Sequence, residues 1–158
     1  MSATAEKPQA PASLPAQPSP RPQRPPVLNL DHWKSSIEEI KKEGGPPPWN
    51  RILVRNDRST VTFIYQLPGT KNDHHYHLQD EWWYIAEGEL AWEMEGDPEP
   101  IRVKAGDFVF APANHYHLIH VLGDQPAIRI GFSYTGEAHR HDRQNPPPPP
   151  VLGHGNVK

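Results

Sequence analysis

The sequence predicts an all-β fold, one small barrel of short strands. Three observations predict it. Between Asn50 and Tyr134, eight short runs rich in β-branched and aromatic residues follow one another. Turn residues separate many of them: Asn56-Asp57, Gly69, Gly88, Gly96-Asp97-Pro98, Gly106 and Gly123-Asp124. No tandem repeat is present, so the strands are expected to build one barrel rather than two.

Taken in order, the chain begins with residues 1–26, which hold eight prolines and only scattered small apolar groups. Residues 146–150 are five consecutive prolines. Proline fixes φ and removes a backbone donor, so such segments cannot build a core. Residues 1–26 and 138–158 are therefore expected to be proline-rich tails, with His139 and His141 solvated in the second. Pro8–Pro11 and Pro15–Pro18 have the spacing of ligands for proline-recognition domains, which any proline-rich segment supplies. The remainder, 27–137, is a normal size for one domain.

Residues 31–42 are expected to form one amphipathic helix. Asp31 can cap it. Trp33, Ile37 and Ile40 recur at i, i+4 and i+7, on one face. Gly44-Gly45 and Pro46-Pro47-Pro48 stop it. The barrel follows over about 50–135, in runs at 51–55, 60–67, 81–87, 89–94, 101–103, 107–111, 117–122 and 127–134. The helix is expected to pack on the outside of the barrel or on a partner subunit.

Composition narrows the chemistry. The 158 residues contain no cysteine, which excludes disulfides, thiolate ligands and a cysteine nucleophile. The net charge is −3 and the lysines and arginines are scattered, so neither nucleic acid nor an anionic membrane is indicated as a partner. No apolar run approaches the roughly 20 residues that span a bilayer. A cytoplasmic protein is the expectation.

Six of the ten histidines lie in two clusters, His74, His75 and His77, then His115, His117 and His120. Strand alternation would turn His75 and His77 to one face. Glu81 follows after a short turn and can point back to the same spot, and His117 arrives from a later strand pair. Three imidazoles and one carboxylate suit a single divalent ion per chain, whether Fe, Mn, Ni, Cu, Co or Zn. Neutral imidazoles and an ionised carboxylate leave coordination positions open for substrate or water. Glycines frame these ligands. Gly69 precedes His75 by six residues, Gly88 follows Glu81 by seven, and Gly106 and Pro112 precede His117.

Written out, G-x5-H-x-H-x3-E-x6-G followed by G-x5-P-x4-H resembles the two cupin motifs, with Asn114 at a position where glycine is common. Asparagine tolerates a left-handed turn at modest cost. The resemblance covers about 50–135. It implies a single cupin barrel, a double-stranded β-helix or jelly roll, with one short N-terminal helix and proline-rich tails. Residues 73–88, DHHYHLQDEWWYIAEG, further resemble 3-hydroxyanthranilate 3,4-dioxygenases in Asp73, His75, Glu81, the aromatics Trp82-Trp83-Tyr84 and Gly88. Pro47-Pro48-Trp49-Asn50 and the Pro112, Asn114, His117 stretch are similar too. The three iron ligands of that family would fall on His75, Glu81 and His117. Its two substrate arginines would fall at Lys71 and near Val121, beside His120, and its substrate glutamate near Gly131. Those departures imply a relative with a different substrate. More weakly, HYHLQDEWWYIAEG and AGDFVFAPANHYH resemble acireductone dioxygenase, all four of whose ligands would be present as His75, His77, Glu81 and His117.

Around the metal, Trp83 alternates with Glu81 and is either a stacking wall for a planar substrate or core. Lys71 and His120 are the other candidate substrate-binding residues. His115 alternates with His117, either behind the ligands or as an acid/base. Three functions follow. One is a non-haem Fe(II) dioxygenase of a small aromatic or enediol substrate, using O2. The second is a metal-assisted isomerase, cyclase or lyase with the ion as Lewis acid. The third is a small-molecule-binding module. A homodimer is the expected assembly.

Overall fold

A computed structural model describes residues 24–143. The tail residues 1–23 and 144–158, and with them most of the two proline-rich segments, lie outside the described residues. One helix, α1 (Ile37–Gly44), precedes eight strands: β1 (Trp49–Arg55), β2 (Ser59–Gln66), β3 (Glu81–Glu87), β4 (Glu89–Met94), β5 (Ile101–Lys104), β6 (Phe108–Ala111), β7 (His117–Val121) and β8 (Ala127–Tyr134). The strands form a five-stranded sheet in the order β1-β2-β8-β3-β6 and a three-stranded sheet in the order β5-β4-β7. All the strand pairs are antiparallel. The all-β jelly-roll expectation holds. No helix among the described residues is long and apolar enough to cross a membrane.

The chain changes sheet at Gly88, between β3 and β4. Gly88 has φ +80°, and a Cβ there would lie 2.7 Å from the Ala127 Cβ, so only glycine fits the crossover. Asn114 takes the left-handed φ of 63° that its place in the second motif requires. Between the two sheets Trp83, Ile85, Leu90 and Trp92 are nearly or fully inaccessible and form the main core. A second cluster lies on the outer face of the large sheet, where Ile37 and Ile40 of α1 pack over Leu53, Phe63 and Ile128. Farther along that outer face Trp82, Phe108 and Phe110 are exposed.

The helix differs from its expected span of 31–42. It starts six residues later, because Ser36 and Glu39 form a reciprocal capping box. Glu39 N–H donates to Ser36 Oγ at 3.2 Å and Ser36 N–H donates to Glu39 Oε2 at 2.7 Å. Two otherwise orphaned donors are satisfied there, whereas residues 29–32 close a tight turn through Asn29 and His32. Trp33 is left outside the helix and 83% exposed.

The start of the expected C-terminal tail packs on the barrel. Residues 138–143 return across the barrel mouth as a strap. Arg140 and Tyr76 exchange backbone hydrogen bonds at 3.0 and 3.1 Å, and the Tyr76 hydroxyl donates to Asp142 at 2.9 Å. Arg143 pairs with both oxygens of Glu95, and its guanidinium carbon sits 4.8 Å from the Tyr116 ring centroid. Burial raises the Glu95 pKa, but the Arg143 contact outweighs it and holds the carboxyl below its usual range. Arg143→Ala is expected to cost about 1–2 kcal/mol, since a charge pair from Nη2 to both Glu95 oxygens and a cation–π contact are lost together. Urea unfolding measures this, and an unchanged midpoint would mean that the strap contributes nothing.

Candidate metal centre

His75 and His77 do not sit on a regular strand, contrary to expectation. Residues 73–78 form an extended crossing, tied by single bridges from His75 to His117 and from Tyr76 to Arg140. The alternation still acts, because two residues of extended backbone bring both rings to one side. Glu81 opens β3 and His117 opens β7, so the two strand ends deliver the remaining side chains to the same point.

The four side chains converge. His75 Nε2 and His77 Nε2 are 3.1 Å apart, and Glu81 Oε2 lies 3.0 Å from His77 Nε2 and 3.8 Å from His117 Nε2. One donor atom from each lies within 4.8 Å of all the others. The far nitrogen of every ring faces a backbone carbonyl: His75 Nδ1 that of Asp73 at 2.9 Å, His77 Nδ1 that of Ala138 at 3.2 Å, His117 Nδ1 that of His115 at 3.3 Å. A carbonyl only accepts, so each Nδ1 carries the proton and each Nε2 presents a lone pair inward. Burial pushes the His75 imidazole down to about 4 and the His117 imidazole down to about 3. Burial also disfavours charge on His77, but the Glu81 contacts outweigh it and its pKa is raised.

This donor set fits a metal ion. His117 Nε2 is buried with no hydrogen-bond partner. The His75 and His77 lone pairs face each other and a carboxylate, an arrangement that only a proton or a cation relieves. Three neutral imidazoles with one carboxylate make a donor set for a first-row divalent ion.

His75, His77 and Glu81 line a cavity of about 370 Å³, and His117 is buried behind them. Trp83, only 2% exposed, joins the cavity to the core, with its ring edge-on to His117 at 5.3 Å. Its core role is thus plain, and one edge of the residue lines the cavity. Lys71 lines the cavity edge but is itself exposed. His115 and His120 are not brought to the cavity. His115 Nδ1 faces the Ala113 carbonyl, in the loop before β7. His120 points to the opposite face of β7 from His117 and contacts Glu93 at 2.7 Å. Alternation is the reason for His120, since an odd offset from His117 reverses the side chain.

Two cavity residues were not singled out from the sequence. His139, expected to be solvated, is 55% exposed but also stacks flat on His75 with centroids 3.6 Å apart, while Asp73 pairs with His139 Nδ1 at 3.0 Å and His141 Nε2 at 2.9 Å. No local pattern signals such a long-range return. Arg129 is the other, 5% exposed on β8. Its signal was present: a lone cation in the middle of the apolar run AIRIGFSY, in phase with Gly131 and Ser133 on the inner face.

Comparison with known proteins agrees with this geometry. A family profile described as Cupin domain matches residues 63–130. A 3-hydroxyanthranilate 3,4-dioxygenase of Bacillus thuringiensis (strain Al Hakam) is 32% identical over 106 residues, covering 65% of this chain and 57% of its own. A dimethylsulfoniopropionate lyase of Ruegeria pomeroyi is 35% identical over 88 residues, 56% of this chain and 39% of its own. The chain therefore spans about half the length of the curated relatives it matches. Among solved structures, a conserved protein with a double-stranded β-helix domain from Klebsiella pneumoniae superposes with a TM-score of 0.56 at 22% identity, covering 68% of this chain and 99% of its own.

Proposed function

The chain belongs to the cupin superfamily, and from that premise we propose that it is a metal-dependent enzyme, a non-haem Fe(II) dioxygenase of a small aromatic or enediol substrate. The observation that carries the reading is the convergence of His75, His77, Glu81 and His117, with the first three on the wall of a cavity sized for a small molecule. Fe(II) held there supplies the electron exchange that O2 needs to react with a closed-shell substrate.

The chain's own residues do the rest. Asp73, Ala138 and His115 orient the three rings through their carbonyls, which keeps the Nε2 atoms unprotonated and aimed. The buried Trp83 ring gives a planar substrate a flat wall, and Gly131, whose Cβ would meet that ring at 3.1 Å, leaves the space beside it open. The His139 ring, stacked on His75, shields the ligands from bulk water on the strap side. The 3-hydroxyanthranilate 3,4-dioxygenase relatives support O2 chemistry. Lysine at position 71, valine at 121 and glycine at 131 argue for a substrate other than 3-hydroxyanthranilate. A homodimer belongs to the same reading, and the exposed Trp82, Phe108 and Phe110 support it.

A second reading, a Lewis-acid lyase, isomerase or cyclase, is favoured by the third imidazole, His77, and by the similarity to a dimethylsulfoniopropionate lyase. Anaerobic reconstitution with Fe(II), then oxygen-electrode screening of catechols, aminophenols, hydroxy-aromatic acids and enediols, separates the two. Substrate-dependent O2 uptake that vanishes in His75→Ala is the expected result. No uptake across the panel, with turnover supported equally by Zn(II), would reject the dioxygenase, because zinc has no redox chemistry.

A further inference from the structure

Arg129 is a charged group in a place where charge is costly. It lies on the inner face of β8, 5% exposed, and lines the same cavity as the His/Glu cluster. Among the described residues its side chain makes one hydrogen bond, from Nη1 to Gln66 Oε1, and Nε is buried without a partner. Gln66 is itself held by Asn72, whose Nδ2 donates to the Ile119 carbonyl at 2.7 Å. The guanidinium is thus fixed from one side, leaving the Nε–H and Nη2 edge unused.

No carboxylate among the described residues pairs with it. The acidic groups on the cavity are otherwise engaged. Asp73 holds His139 and His141, Glu137 accepts from the Leu78 N–H at 2.9 Å, and Glu81 faces His77 and His117. Glu81 acts on Arg129 only through its field, which opposes the burial that pushes the Arg129 pKa down to about 10. The arginine is therefore still charged at neutral pH. A buried cation without a hydrogen-bonded counter-charge is strongly disfavoured unless a ligand supplies one.

We infer that the cavity takes a small carboxylate anion and that Arg129 grips it through the free Nε/Nη2 edge. A guanidinium edge matches the two oxygens of a carboxylate, which a lysine cannot do. The exposed Lys71, expected from the sequence to play this part, is then a secondary charge at the mouth. The inference rests on the cavity being the substrate site and narrows its substrate class to carboxylic acids, with Arg129 as a specificity-determining residue. Hydroxy-aromatic acids and small aliphatic hydroxy acids both fit the volume.

Calorimetric titration of the Zn(II)-loaded full chain tests it, with paired probes: salicylate against salicylamide, and lactate against lactamide. At least one acid is expected to bind at least about tenfold more tightly than its amide. Arg129→Gln should weaken that acid by about 10- to 100-fold, as for the loss of a charge-assisted pair, and leave the amide unchanged. Arg129→Lys should fall between. Metal content by elemental analysis, expected unchanged in both variants, keeps a failure of the metal reading distinct from a failure of this one. Equal binding of acids and amides, no binding of either acid, or an Arg129→Gln variant that binds acids like the wild type would overturn the inference. If both variants fail to fold, the same acid–amide pairs titrated into the metal-free full chain decide it, because no ion is then present to favour the acid.

Discussion

Protein carrying His117→Ala is expected to be purified with less than about a tenth of the metal held by the wild type, and to remain folded. The expectation follows from the convergence of the donors. His117 is 1% exposed, its Nε2 has no hydrogen-bond partner, and the ring is anchored at both its Nδ1 and its backbone N–H. The nearest other imidazole, His139, stacks on His75 with its Nδ1 turned to Asp73. Tyr116 and His115 point elsewhere, and loss of even an orienting partner of a ligand typically costs 10- to 100-fold in affinity. The fold should survive, because the core of Trp83, Ile85, Leu90 and Trp92 is apolar and complete without the ion. Truncating a buried ring still leaves a cavity, so a stability loss of about 2–4 kcal/mol accompanies the change. Glu81→Gln is the matched control, keeping the shape while removing the carboxylate charge. Elemental analysis after expression with iron and manganese supplied gives the answer. Equal metal in wild type and His117→Ala would place the ion elsewhere.

How far the sequence revealed these elements depended on how local the cause was. The β3 and β4 runs, 81–87 and 89–94, and the β8 run 127–134 match the observed strands residue for residue, because strong alternation and flanking turn residues define them within a few positions. The helix start was misplaced because Asp31 and Ser36 are both good caps, and only the reciprocal Glu39 selects the second. His75, His77, Glu81 and His117 were legible because glycine spacing marks the turns that bring them together. His139 was not, since a contact across 64 residues leaves no trace in local pattern. Arg129 lies between these cases. Its alternation with Gly131 and Ser133 was readable, but which sheet face is the inner one follows only from α1 covering the other. Lys71 and His120 answer to the substrate arginines of the resembled family, and the buried cation sits on β8, away from the loop of Lys71 and from β7.

Metal-free protein is expected to unfold in mild acid, and the same cluster is responsible. The folded-state pKa of His75 is depressed to about 4 and that of His117 to about 3, both by burial first, against about 6.5 in an unfolded chain. Below pH 6.5 the unfolded state therefore binds protons that the folded state refuses. Stability is fully present above 6.5 and falls as pH drops toward 4, by up to about 1.4 kcal/mol per pH unit for each group. Integrated over the window from 6.5 to 4, the loss reaches several kcal/mol, a large part of the roughly 5–15 kcal/mol that holds an ordinary domain together. His77 works the other way. Its raised pKa contributes stability below 6.5 that is lost as pH rises through its folded value, but it is one group against two. The Glu95–Arg143 and Asp73–His pairs add to the acid loss, because their lowered carboxylate pKa values mean stability lost as pH falls through them. Metal and protons compete for the same Nε2 lone pairs, so loading with Zn(II) should move the acid midpoint to lower pH. Tryptophan fluorescence followed from pH 8 to pH 3, with and without the metal, measures both effects. An acid limb at the same pH in the two samples would mean that the protons taken up on unfolding do not go to His75 and His117.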